Sequence, residues 1–150
     1  MTGSSKRWLE RFLRWVLGVV FVVAAMGVPG TSWGSGKLAH PSRFAQNIRT
    51  YRMVPAVLIF PMAMYLPWLE LTVGLGLLAG VWRREFLWLT LGLCAMFLGA
   101  NLTAMARGLE VDCGCFGAGY HGSAAREALI ATILSILGVG ALKTNAPRTI

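Results

Sequence analysis

The sequence predicts an all-α integral membrane protein, a four-helix bundle in one domain spanning residues 1–150, with a short amphipathic helix between the first two spans. Two observations carry this. Hydrophobic residues make up 56% of the chain and charged residues only 13%, too apolar a balance for a soluble domain of 150 residues. The apolar residues also fall into four runs, near 12–28, 54–81, 86–106 and 125–142, each reaching or approaching the ~20 residues that a spanning helix needs.

The first run follows Lys6, Arg7, Arg11 and Arg14 and ends near Pro29 and Gly30, a pattern shared with secretory signal peptides. No clean small-x-small cleavage site follows it, so it reads as a retained anchor. Before the second run, Phe44, Ile48 and Tyr51 recur at helical spacing between Arg43, Arg49 and Arg52, after Pro41. That pattern predicts an amphipathic segment lying in the membrane interface and facing lipid. Glycines 74, 76, 80, 92 and 99 predict close helix packing, and Asn101 and Thr103 predict hydrogen bonds between helices.

Basic residues set orientation. Lys6, Arg7, Arg11 and Arg14, then Arg83 and Arg84, then Lys143 and Arg148 mark the cytoplasmic side by the positive-inside rule. Both termini are then cytoplasmic, in the inner membrane of the cell, and the first and third connections are periplasmic. Lys37, Arg43, Arg49 and Arg52 in the first connection weigh mildly against this. The net charge of +8 serves topology and contact with anionic membrane lipids. No basic motif interleaved with aromatics points to nucleic acid.

The third connection holds the chemistry. Cys113-Gly114-Cys115 follows Asp112 within the stretch from Gly108 to Gly117. Two thiols one residue apart make a poor structural bridge, because so small a loop stabilises by only about 1–2 kcal/mol on the chain-entropy model. A bond between them needs a sharp turn, which Gly114 permits. Strained, exposed disulfides are the oxidising and labile ones. A redox pair is the favoured reading, with Asp112 and Gly114 in support. A metal site with Asp112 or His121 suits the tight spacing less well, and a glycine-rich turn with idle thiols is the bland alternative. Cys115 is the better candidate for the attacking thiol, since Asp112 disfavours a thiolate at Cys113.

Glu70 lies inside the second apolar run, where an ionised carboxylate costs about 3 kcal/mol or more. It must be protonated, paired or hydrated. Pro67, three residues earlier, removes a helix hydrogen bond and helps to shape a polar pocket. Glu70 is therefore either a proton-relay or ligand-pocket residue, or a neutral acid bonded to a neighbouring helix for which Gln would substitute. Cys94, at a similar depth, reads as a small packing residue. His40 and His121 read as surface residues, and the tryptophans, Trp68 apart, as interfacial anchors.

The order of these features resembles the MauE family of methylamine utilisation proteins, within the broader DoxX-like membrane proteins. The matching elements are Gly36-Lys37-Leu38 with Pro41 and Phe44, then Tyr51 and Pro55, then Leu66-Pro67-Trp68-Leu69-Glu70, then Gly74 through Gly80, and finally Arg107 through Gly117. The last element is the specific one. Residues 27–35 form a longer and more broken join than the family pattern has. The resemblance implies a membrane four-helix bundle that supports maturation of the periplasmic, disulfide-rich small subunit of methylamine dehydrogenase, beside a thioredoxin-like partner. The expected function is thiol-disulfide exchange through Cys113 and Cys115, with a lipid quinone near Glu70 or a partner protein taking the electrons. The competing expectation is a non-catalytic scaffold or small-molecule or quinone carrier in which the Cys-Gly-Cys loop only shapes the chain.

Overall fold

The computed structural model describes residues 3–27, 36–109 and 124–144. Within them lie five helices and no strand: α1 (Gly3–Met26), α2 (Pro41–Thr50), α3 (Ala56–Ala79), α4 (Arg83–Ala106) and α5 (Ala124–Thr144). The all-helical class agrees with the sequence reading, and the four long helices fall on the four apolar runs. α1 differs most, beginning at Gly3 rather than near residue 12 because Lys6 to Arg11 continue the helix.

The four long helices form a ring. α1 packs on α3 and α5, α4 packs on α5, and the α3–α4 seam, the loosest of the four, closes it. Close approach of α1 to α3 depends on Gly18 and Gly74: a Cβ on Gly74 would stand 2.9 Å from the Gly18 carbonyl oxygen and 2.8 Å from Val22. Leu17, Phe21, Val73, Leu77, Leu87 and Leu93 fill the space between the helices. α3 ends at Gly80, whose φ of 74° is the left-handed conformation that suits a C-terminal glycine. Pro61 and Pro67 sit inside α3 without ending it.

α3 and α4 are each 24 residues long and apolar enough to cross a membrane, and only 28% of each apolar window is buried. Val57, Phe60, Tyr65, Trp68 and Trp88 all face outward, more than half exposed. A soluble core helix hides such residues. These two helices display them.

Three expectations are corrected. The apolar face of α2 does not meet lipid: Phe44 and Ile48 are buried against Ile59 and Ala63 of α3, because four apolar side chains bury more surface by packing together than by lying in an interface. Gly92 and Gly99 serve no close packing, since a Cβ on either would meet nothing within 4 Å. Thr103 bonds the Gly99 carbonyl of its own helix and, among the described residues, no other helix.

Basic residues gather at one end of the ring. Arg83 at the start of α4 lies 3.7 Å from Glu10 in α1, and the buried Arg14 guanidinium packs on Gly80. α2 and the segment from Gly36 to His40 lie at the other end, with the end of α1.

Candidate functional site

Glu70 is 1% exposed, and its partner is Lys37, 3% exposed. The Lys37 ammonium donates to both carboxylate oxygens, at 2.6 and 2.9 Å. Glu70 is thus paired, and its partner comes from the connection after α1 rather than from a neighbouring helix.

Local sequence explains how a lysine from a connection reaches the interior. The chain after α1 folds back against the end of that helix. Leu38 N–H donates to the Ala25 carbonyl at 3.2 Å, satisfying one of the carbonyls that a helix end leaves unpaired. Gly36 lies directly on the backbone of Met26 and Gly27, where a Cβ would overlap the Met26 carbonyl group. Gly-Lys-Leu is therefore a device: glycine allows contact, leucine caps, and the lysine between them points inward.

The ammonium is enclosed by more than the carboxylate. Its nitrogen lies 5.1 Å from the centre of the Phe44 ring and 4.9 Å from that of Phe97. Taking two charges out of water costs several kcal/mol per ion, which only good geometry and added partners recover. Two short hydrogen bonds and two aromatic faces supply both.

A cavity of about 50 Å³ adjoins the pair, walled by α1 (Phe21), α4 (Cys94, Phe97, Asn101) and α5 (Ala131, Leu134). The Asn101 oxygen accepts from the Tyr51 hydroxyl at 3.1 Å, and its Nδ2 donates to the Phe97 carbonyl at 2.9 Å. The expected bond between elements is present here, joining the end of α2 to α4. Arg107 also reaches back to the Tyr51 and Arg52 carbonyls, at 3.4 Å each.

Cys94 is buried and free, packed in the core as expected, and it also lines this cavity with Glu70. His40 precedes α2 and is exposed. Asp112, Cys113, Gly114, Cys115 and His121 lie outside the described residues.

Lys37 is the site residue that sequence reasoning missed. The sequence reads it as a loop charge, although pairing with a cation is one of the three ways of burying Glu70 and Lys37 stands in the Gly-Lys-Leu motif. Its burial also withdraws one charge from the first connection, leaving Arg43, Arg49 and Arg52 exposed there.

Residues 6–142 match the family model described as Methylamine utilisation protein MauE. The chain belongs to the MauE family. Among relatives of this MauE-family chain, the methylamine utilization protein MauE of Methylorubrum extorquens is 34% identical over 99 residues, 65% of this chain and 50% of the relative. That of Methylophilus methylotrophus is 32% identical over 100 residues, 66% of this chain and 49% of the relative. The chain thus spans about half the length of the curated relatives it matches. No solved structure matches it.

Proposed function

We propose that this MauE-family protein is an inner-membrane thiol-disulfide protein acting in methylamine utilisation, with its four long helices spanning the bilayer, both termini cytoplasmic and the Cys-Gly-Cys segment periplasmic. The observation that carries the reading is the buried pair of Lys37 and Glu70 beside a cavity between apolar helices. An ionisable pair kept at such cost inside a membrane helix bundle marks function by default. Two walls of that cavity belong to α4 and α5, the helices that the segment containing Cys113 and Cys115 connects. The basic cluster around Arg14 and Arg83 at the opposite end supports the orientation.

In the proposed exchange a client dithiol attacks the Cys113–Cys115 disulfide through a mixed disulfide. A new client S–S bond forms and the Cys113–Cys115 bond breaks, two electrons and two protons passing to the pair. In the reverse direction the reduced pair attacks a client disulfide, and because Asp112 disfavours a thiolate at Cys113, Cys115 is the attacking thiol and the sulfur bonded to the client. The client is a periplasmic disulfide-rich protein of the methylamine dehydrogenase small-subunit kind, with a thioredoxin-like protein as carrier.

Trapping tests this. Cys113→Ser accumulates a reductant-sensitive adduct with a periplasmic protein on a non-reducing gel, and Cys115→Ser does not. Full client maturation in the double variant would instead favour a scaffold whose cysteines only shape the loop.

A further inference from the structure

An apolar groove of about 420 Å³ runs between α2, α3 and α4, along the seam where the ring of helices is least tightly closed. Its α4 wall extends from Ala95 to Thr103, a rise of about 12 Å, so the trough is long and lies parallel to the helix axes. It opens sideways. Met53, Ala95, Met96 and Gly99 on its wall are exposed, and a Cβ on Gly99 would meet nothing within 4 Å. Gly99 thus leaves room that no neighbouring helix among the described residues fills.

The lining suits hydrocarbon. Of its side chains only Tyr51 and Thr103 carry an O–H or N–H, and both are engaged, Tyr51 with the Asn101 oxygen and Thr103 with the Gly99 carbonyl. An occupant is therefore held by burying apolar surface rather than by hydrogen bonds. One end differs. Arg52 stands between the lining residues Tyr51 and Met53, and Arg107 follows the lining residue Thr103 by one helical turn. Arg107 reaches across from α4, its Nη1 donating to the Tyr51 and Arg52 carbonyls at 3.4 Å each, which leaves its Nε and Nη2 hydrogens without a partner among the described residues. Both arginines are exposed, and neither has an ion-pair partner among the described residues. Arg52 also has a φ of 51°, a left-handed conformation that a bulky residue keeps only where its surroundings impose it.

We propose that this groove binds an anionic phospholipid, with one acyl chain in the trough and the headgroup phosphate on Arg52 and Arg107. The direction of the trough, the absence of free donors along it and the cations at one end only select a molecule that is a plain chain with an anion at its end. α3 and α4, which form two of the walls, are the helices long and apolar enough to cross a membrane. The trough then lies at the depth of the acyl chains and its arginine end at the headgroups, where basic residues attract anionic lipid. Arg52 gains a role that the positive-inside count does not give it, since in the orientation proposed above it lies at the periplasmic leaflet. Lipid binding is independent of thiol exchange.

The test uses the full chain in detergent, titrated with phosphatidylglycerol or with phosphatidylethanolamine of identical acyl chains and read by native mass spectrometry. Phosphatidylglycerol should bind about tenfold more tightly. Arg52→Gly removes one charge where glycine suits the backbone, and it should lower that preference without lowering the melting temperature. Adding Arg107→Gln should bring the two lipids to near parity. Arg84→Gln, the same loss of charge at the other end of the ring, should keep the preference. Gly99→Leu fills the trough where an added Cβ meets nothing and should weaken both lipids alike. Equal affinity for the two lipids, a preference untouched by Arg52→Gly with Arg107→Gln, or binding untouched by Gly99→Leu overturns the site. So does a dimer that excludes lipid and dissociates on Gly99→Leu, which would assign the groove to a second copy of the chain.

Discussion

Gly36 rests on the carbonyl end of α1, against Met26, and this contact sets the position of Lys37. The lysine reaches Glu70, 33 residues away in sequence, only because the chain before it has no side chain to hold it off the helix. Gly36→Ala should therefore lower stability by about 1–3 kcal/mol, the usual cost of overpacking. Thermal unfolding in detergent would read the loss, and Lys37 should gain reactivity toward an amine reagent. An unchanged melting curve would contradict this placement.

Glu70→Gln is expected to be damaging. It leaves the Lys37 ammonium buried without its counter-charge, and removing one partner of a buried pair costs about 3–5 kcal/mol. Replacing both, as Lys37→Met with Glu70→Leu, should recover most of that stability while any activity that needs the pair stays lost. A double-mutant cycle on melting temperature checks the coupling.

The glycines divide into two classes. Gly74→Val drives a side chain into Val22 and the Gly18 carbonyl and should pry α1 from α3, lowering folded yield on size-exclusion chromatography. Gly92→Ala meets open space and should stabilise by about 0.5–1 kcal/mol, the helix preference of alanine over glycine.

Topology is tested in intact cells. With the basic end cytoplasmic, a membrane-impermeant maleimide should label Cys113 or Cys115 after reduction, and the buried Cys94 should stay unlabelled. Labelling confined to lysed cells would reverse the orientation.

The helical class and the places of the four long helices were legible in the sequence, because apolar periodicity and length act locally and need no knowledge of partners. So was the demand that Glu70 be compensated, since the cost of a buried carboxylate belongs to that residue alone. What compensates it was not. Lys37 and Glu70 meet through a reversal of the chain at Gly36 and Leu38, and such long-range contacts leave no periodic trace. The face of α2 was misassigned for the same reason: Phe44 and Ile48 show that a surface must be covered, but whether lipid or Ile59 and Ala63 cover it depends on where α3 stands. Sequence by itself determined which groups cannot remain alone in an apolar interior, and the tertiary structure decided which groups meet them, because burial cost is set by a residue's own chemistry and pairing by the path of the whole chain.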